Sequence, residues 1–166
     1  MKALIAVASR HGSTMDIGRR IAENLRGAGI AASYRPAEQV TSIADYEVVI
    51  LGTGVYANKM LPAMTALAYR WGDQLASRIT YLFCSGPLGA ADPSAVVLPP
   101  DARQLVRITQ IRDARMFGGA MWFDRLKATE RATLRMWGSP PGDFRNWEDI
   151  AAWSQEIADA VRREAS

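Results

Sequence analysis

Ala3 to Ala8 is an unbroken apolar run, and Val48-Val49-Ile50-Leu51 forms another inside Glu47 to Gly52. A strand with one wet face alternates apolar and polar side chains. A strand without alternation must be covered on both faces. Sheets covered on both faces are mostly parallel, and parallel strands need long crossovers, usually helices. The intervening sequence supplies them. After Ser13, residues Ile17, Ile21, Leu25 and Ala28 recur at helical spacing until Gly27 and Gly29 stop the pattern. Leu61, Met64, Leu67, Ala68 and Trp71 form a second stripe. Ile30 to Arg35, Ile79 to Cys84 and Ala114 to Gly118 read as further strands, and Ile43 to Tyr46 as a brief connector. Pro99-Pro100-Asp101 opens a short helix over Ala102 to Ile108. Asn146, with Asp149 three residues on, caps a last helix buried through Ile150, Trp153, Ile157 and Val161. The expected fold is therefore α/β. It is a doubly wound sheet of five parallel strands with helices on both faces.

The bulk properties narrow the setting. The 166 residues suit a single domain, 1–166, with 49% hydrophobic and 22% charged residues as in soluble folded chains. A net charge of +3 favours an anionic ligand or membrane surface, but the arginines are scattered, and no nucleic-acid partner is expected. Cys84 is the only cysteine, so neither an intrachain disulfide nor a cysteine-rich zinc site can form, and no metal is expected. This suits a reducing, cytoplasmic location. Met1-Lys2 before an apolar run mimics a signal peptide, but Arg10 and His11 end the run too early. No stretch approaches the roughly 18 apolar residues of a membrane span.

In an open parallel sheet, ligands bind beyond the carboxyl ends of the strands, where the strand order reverses. Three segments fall at that edge and are read as loops: Ser9 to Thr14, Thr53 to Asn58 and Ser85 to Gly89, the last opening a longer loop that runs to Asp101. Ser9-Arg10-His11-Gly12-Ser13-Thr14 joins a strand to a helix. Its glycine and first-turn N–H groups suit a phosphate, and its hydroxyls add donors. Ser and Thr would also stand there merely to cap a helix.

With Leu51-Gly52-Thr53-Gly54-Val55-Tyr56-Ala57 after the third strand, this loop resembles that of flavodoxin-like FMN proteins. Gly142-Asp143-Phe144-Arg145-Asn146-Trp147 before the last helix is similar to the group that includes menaquinone-dependent protoporphyrinogen oxidase. The resemblance covers essentially the whole chain. It implies strand order 2-1-3-4-5 and non-covalent FMN. By position, Ser9, Arg10, His11, Gly12, Ser13 and Thr14 would wrap the phosphate. Thr53, Gly54, Val55, Tyr56 and Ala57 would line one side of the ribityl chain and flavin, and Ser85, Gly86, Pro87, Leu88 and Gly89 the other. Tyr56 would stack on the ring.

The departures from electron-carrying flavodoxins bear on function. The Ser85 to Gly89 loop holds neither an acid nor an aromatic, and the chain is basic. An acidic shuttle meets basic partners, and this chain would steer poorly toward them. A flavin face left open suits hydride transfer from a bound substrate. The resemblance thus implies an FMN-dependent oxidoreductase. It would take hydride equivalents from a porphyrinogen-like or other reduced substrate and pass them to a quinone or similar acceptor. An electron carrier and a cofactor-free binding module stand as alternatives. No catalytic acid or base is identified, and Cys84 reads as a small core residue.

Ala120 to Pro141, the insert after the fifth strand, is longer than a simple connection needs. It sets Met121, Trp122, Phe123, Leu126, Leu134, Met136 and Trp137 beside Arg125, Lys127, Arg131 and Arg135. Two readings remain for it: a basic amphipathic lid that meets an anionic substrate or a membrane surface, or a surface helix whose tryptophans pack on the sheet.

Overall fold

A computed structural model of the chain describes residues 1–86 and 95–166. In chain order the elements are β1 (Lys2–Ala8), α1 (Ser13–Gly27), β2 (Ala31–Pro36), β3 (Val48–Tyr56), β4 (Lys59–Met60), α2 (Pro62–Ala76) and β5 (Ile79–Ser85). There follow α3 (Pro100–Thr109), β6 (Asp113–Phe117), β7 (Ala120–Met121), α4 (Ala128–Met136), β8 (Gly142–Asp143) and α5 (Trp147–Ala165).

Five parallel strands lie in the order β2-β1-β3-β5-β6. This is the 2-1-3-4-5 order when only the parallel strands are numbered. The unbroken apolar runs divide between two cores by strand periodicity. Leu4, Ala6, Val49, Leu51, Leu82 and Cys84 face α2 and α3 through Met64, Leu67, Leu75 and Leu105. Ile5, Val7, Val48, Ile50, Tyr81 and Phe83 face α1 and α5 through Ile17, Ile21, Leu25, Trp153 and Ile157. Each central strand is buried on both faces, which is why its sequence does not alternate. Burial pushes the Cys84 thiol up to about 12, with Asp101 adding to the rise, so the thiolate is suppressed and the side chain serves packing.

One expectation is corrected. Thr53 to Asn58 is not a loop. β3 runs on through Thr53, Gly54 and Val55 to Tyr56, turns at Ala57 and Asn58, and pairs back antiparallel on β4 with Val55 opposite Met60. Ala57 and Asn58 have φ of +48° and +57°, the left-handed pair of a tight two-residue hairpin. The Thr-Gly-Val-Tyr composition reads as loop because Gly54 is rare in strand interiors; here it admits a close neighbour.

The end of β6 leads into the insert. Its two ends, β7 and β8, pair antiparallel with Ala120 opposite Asp143 and Met121 opposite Gly142. Phe144 N–H donates to the Gly119 carbonyl at 3.0 Å, closing the base. Between them lie a 3₁₀ turn at Phe123–Arg125 and α4, a helix with no buried residue. No described helix is long and apolar enough to cross a membrane.

Candidate functional site

The sheet order reverses between β1 and β3, and the strand ends there meet the segment that leaves β1. Gly12 stands before α1 at φ +94°. Its N–H donates to Ser9 Oγ at 3.0 Å, so the Ser9 hydroxyl shapes the loop. No side chain caps α1. Its first-turn N–H groups therefore have no protein acceptor from a cap, and they carry the positive end of the helix dipole.

Two hollows adjoin this loop. A narrow cleft is lined by Ser13, Thr14, Gly54, Val55, Tyr56, Ser85 and Gly86, with Gly119, Ala120 and Met121. Its walls close because they lack side chains. A Cβ on Gly86 would stand 3.2 Å from Val55 Cβ, and one on Gly119 would stand 3.4 Å from Gly86 Cα. A Cβ on Gly54 would press on the Tyr56 ring at 3.1 Å and Thr14 Oγ1 at 3.4 Å.

Tyr56 also borders the second hollow, a cavity of about 430 Å³. Arg10, His11 and Ala57 join it on the sheet side, Lys59 to Pro62 form a wall, and the insert supplies a roof of Met121, Leu126, Glu130, Thr133, Leu134 and Trp137. This volume lies in the range of small-molecule sites, and mostly apolar walls with a few charged groups are typical of them.

Charged groups border the cavity from the loop, from the wall and from the insert. The Arg10 guanidinium lies 4.4 Å from the Tyr56 ring centroid, and the His11 ring meets Tyr56 edge-on at 6.4 Å. Burial raises the Tyr56 hydroxyl above its ordinary value, Arg10 opposing and Glu130 adding, so the phenol stays protonated. Glu130 reaches across from α4 to within 3.5 Å of His11 Nε2. Its other oxygen accepts the Lys127 N–H at 2.9 Å, which, with weaker help from His11, Lys127 and Arg10, holds the carboxyl below its ordinary value.

Arg145 ties these parts together. Only 6% of its side chain is exposed. Nη1 donates to the Ser13 carbonyl and to Asp16 Oδ2, both at 3.2 Å, fixing the first turn of α1. Nη2 and Nε donate to the two oxygens of Asp143 at 2.6 and 2.9 Å. The guanidinium also lies 5.3 Å from the Trp122 ring and 4.7 Å from the Trp147 ring, joining the insert to α5. The hydrogen bonds from Arg145 hold the Asp143 carboxyl below its ordinary value.

Of the residues expected at the site, the structure gathers Arg10, His11, Tyr56 and Ala57 around the cavity and Ser13, Thr14, Gly54, Val55, Ser85 and Gly86 around the cleft. Ser9 and Gly12 shape the loop without lining either hollow. Thr53 is fully buried; its hydroxyl donates to the Gly54 carbonyl at 2.8 Å and accepts the Leu61 N–H at 3.1 Å, so it secures β3 to the start of α2. Pro87, Leu88 and Gly89 lie outside the described residues. The expectation named neither Glu130 nor Arg145 as site residues. Arg145 stood in the quoted Gly142 to Trp147 stretch, but its pairing with Asp16 spans 129 positions and has no local signature.

This architecture, with its uncapped helix start and flanking hollows at the switch point, defines a flavodoxin-like class of open α/β sheet. The family model described as "Flavodoxin domain" matches residues 4–144, and the chain belongs to that family. Proteins of this fold bind FMN. No curated protein matches the chain. Among solved structures, rubredoxin oxygen:oxidoreductase from Desulfovibrio gigas is similar at TM-score 0.70 and 16% identity, over 99% of this chain and 37% of that one. The chain thus spans well under half the length of that oxidoreductase. A flavodoxin from the domain Archaea (TM-score 0.66, 14% identity, 98% and 99% coverage) is also similar. So is that of Streptococcus pneumoniae TIGR4 (0.61, 16%, 96% and 99%). At these identities the likeness is one of fold.

Proposed function

We propose that the chain binds FMN non-covalently and acts as an FMN-dependent oxidoreductase. It takes hydride equivalents from a reduced, porphyrinogen-like substrate and passes them to a quinone or similar acceptor. The observation that carries this reading is the roofed cavity of about 430 Å³ beside Tyr56. A carrier that exchanges electrons through an exposed edge needs no partly covered hollow of substrate size beside it.

The residues present fit the cofactor. Gly12 in its left-handed turn and the uncapped start of α1 suit the phosphate, with Ser13 and Thr14 adding hydroxyls. Gly54, Gly86 and Gly119 let the backbones that line the cleft approach one another closely, as a site that grips a ligand with main chain requires. Tyr56, half-buried and neutral, offers an aromatic face to a flavin. When bound, FMN supplies the two-electron chemistry. The chain positions it, shields it from water beneath the insert, and offers Arg10 and Lys59 to an anionic group of the substrate.

Titration with FMN is the direct test. Quenching of flavin fluorescence at a ratio of one to one is expected, followed by anaerobic turnover of protoporphyrinogen with a menaquinone analogue. Binding without turnover of any reductant would leave an electron carrier, and no binding would leave a fold without its cofactor.

The insert also fits an anionic membrane surface. Met136 is 81% exposed and Trp137 65%, beside the exposed Arg125, Lys127 and Arg135. Apolar and basic groups together suit the lipid interface. A double charge reversal, Arg131→Glu with Arg135→Glu, is expected to weaken binding to anionic liposomes at least about thirtyfold, read by flotation, since each basic group near such a surface contributes about 1 kcal/mol. Unchanged flotation would remove membrane contact from the reading.

A further inference from the structure

The cavity beside Tyr56 is bounded by parts of unequal firmness. Its roof, α4, buries none of its residues, and the insert is fixed at its base by a two-residue ladder. The wall, Lys59 to Pro62, continues the exit of β3. Tyr56 stands opposite Lys59 across a two-residue turn, so those two residues exchange the ladder bonds, and the Met60 N–H points away from β3. β4 pairs with β3 and with no second strand among the described residues. Asp101 supplies the missing acceptor: its Oδ2 takes the Met60 N–H at 2.9 Å, across 41 positions of sequence. Thr53 Oγ1 takes the next N–H, that of Leu61, at 3.1 Å. Two successive wall residues, both buried, are thus fastened by side chains from two other elements.

We propose that Asp101 is a positioning residue for this cavity: its carboxylate holds the β4 wall in the shape that the ligand meets. The inference rests on the reading of the cavity as the seat of the reduced substrate or its quinone acceptor. Asp101 lines neither hollow and acts through Met60. Its other oxygen accepts the Ala102 N–H at 2.9 Å in the first turn of α3. An acid there suits the helix dipole, but a dipole role needs only the charge. It does not account for the aim of Oδ2 at a backbone N–H of the Tyr56 hairpin. With the wall fixed in this way, a ligand has only the roof to order. Where the wall is loose, binding must order it as well, and affinity falls by that cost.

The probe is menadione, a small naphthoquinone, added to the FMN-loaded protein, with its dissociation constant read by equilibrium dialysis. Asp101→Ala is expected to weaken menadione about tenfold and to lower the melting temperature by about 3–8 °C. Asp101→Asn loses the charge but keeps a carbonyl acceptor for the Met60 N–H, so it should bind menadione within about twofold of the parent. Thr109→Ala is the control for stability alone. It removes a buried hydroxyl that donates to the Leu105 carbonyl at 2.7 Å, at the far end of α3, and should leave menadione binding unchanged. If Asp101→Ala does not fold, Thr53→Val loosens the same wall by releasing the Leu61 N–H, and should weaken menadione about as much. Parent-like menadione binding in the wall variant that folds, or equal loss in Asp101→Asn and Asp101→Ala, overturns the positioning role alone. So does an equal loss in Thr109→Ala, the mark of a general effect of stability. Failure of the parent to bind FMN or menadione overturns the functional reading, and the positioning role with it.

Discussion

Arg145→Ala is expected to cost about 2–3 kcal/mol of stability, below the usual cost of breaking a fully buried pair because Asp16 and Asp143 are themselves partly exposed. For a chain of this size that is a fall in melting temperature of about 5–10 °C. The loss reaches function because the same guanidinium holds the Ser13 carbonyl. FMN affinity is therefore expected to fall about tenfold or more, read by fluorescence titration below the melting range. Lysine should not rescue the variant, since an ammonium cannot pair both Asp143 oxygens in a plane while lying against Trp122 and Trp147. A pH series adds a signed check. The Asp143 carboxyl is lowered from 3.8 in the folded state, so its contribution is fully present above that pH and fades as pH falls through the folded value. The stability gap between parent and variant should accordingly narrow on acidification below about pH 4. A gap that is constant or widens would place the effect elsewhere.

Gly118→Ala should be at least as damaging, for a steric reason. Its Cβ would fall 2.1 Å from the Phe144 carbonyl oxygen and 2.8 Å from its carbon. Those are backbone atoms, so no rotamer change relieves the overlap. Phe144 must retreat, which strains its bond to Gly119, the β7–β8 ladder and the position of Arg145 next in sequence. Overpacking of this kind costs about 3 kcal/mol, or roughly 6–12 °C in melting temperature. Because the damage is at the base of the insert, cleavage by trypsin within residues 122–141 should accelerate well below the melting temperature. Gly72→Ala is the control, since a Cβ there meets nothing within 4 Å. Parent-like stability in Gly118→Ala would show that the insert is not held through this contact.

The sheet was legible because its evidence is local. Two unbroken apolar runs give the double burial of the central strands, three further strand segments between helical stripes complete the count, and the Asn146 cap is found as expected, accepting from Glu148 and Asp149. The exit of β3 was less legible. Gly54 and the Ala57-Asn58 turn lower strand propensity, and what stabilises the extension is pairing with β4, a partner of only two residues. The anion loop could be placed from sequence, but the division of labour within it could not. Whether the Ser9 hydroxyl faces a ligand or Gly12 N–H depends on backbone angles. The insert leaves two alternatives open because composition alone cannot orient tryptophans. Trp137 proves exposed and borders the cavity, whereas Trp122 lies between Arg125 and Arg145.

The insert leaves and rejoins the chain at neighbouring points, since β7 and β8 are paired to each other and not to the main sheet. Whatever spans the gap between Met121 and Gly142 can thus change length or composition while the doubly wound sheet keeps its strand order. Its sequence is not answerable to the demands of either core. A chain built in this way can change what it admits beside the cleft by rewriting about twenty residues of the insert, and need not alter the machinery that would hold the cofactor.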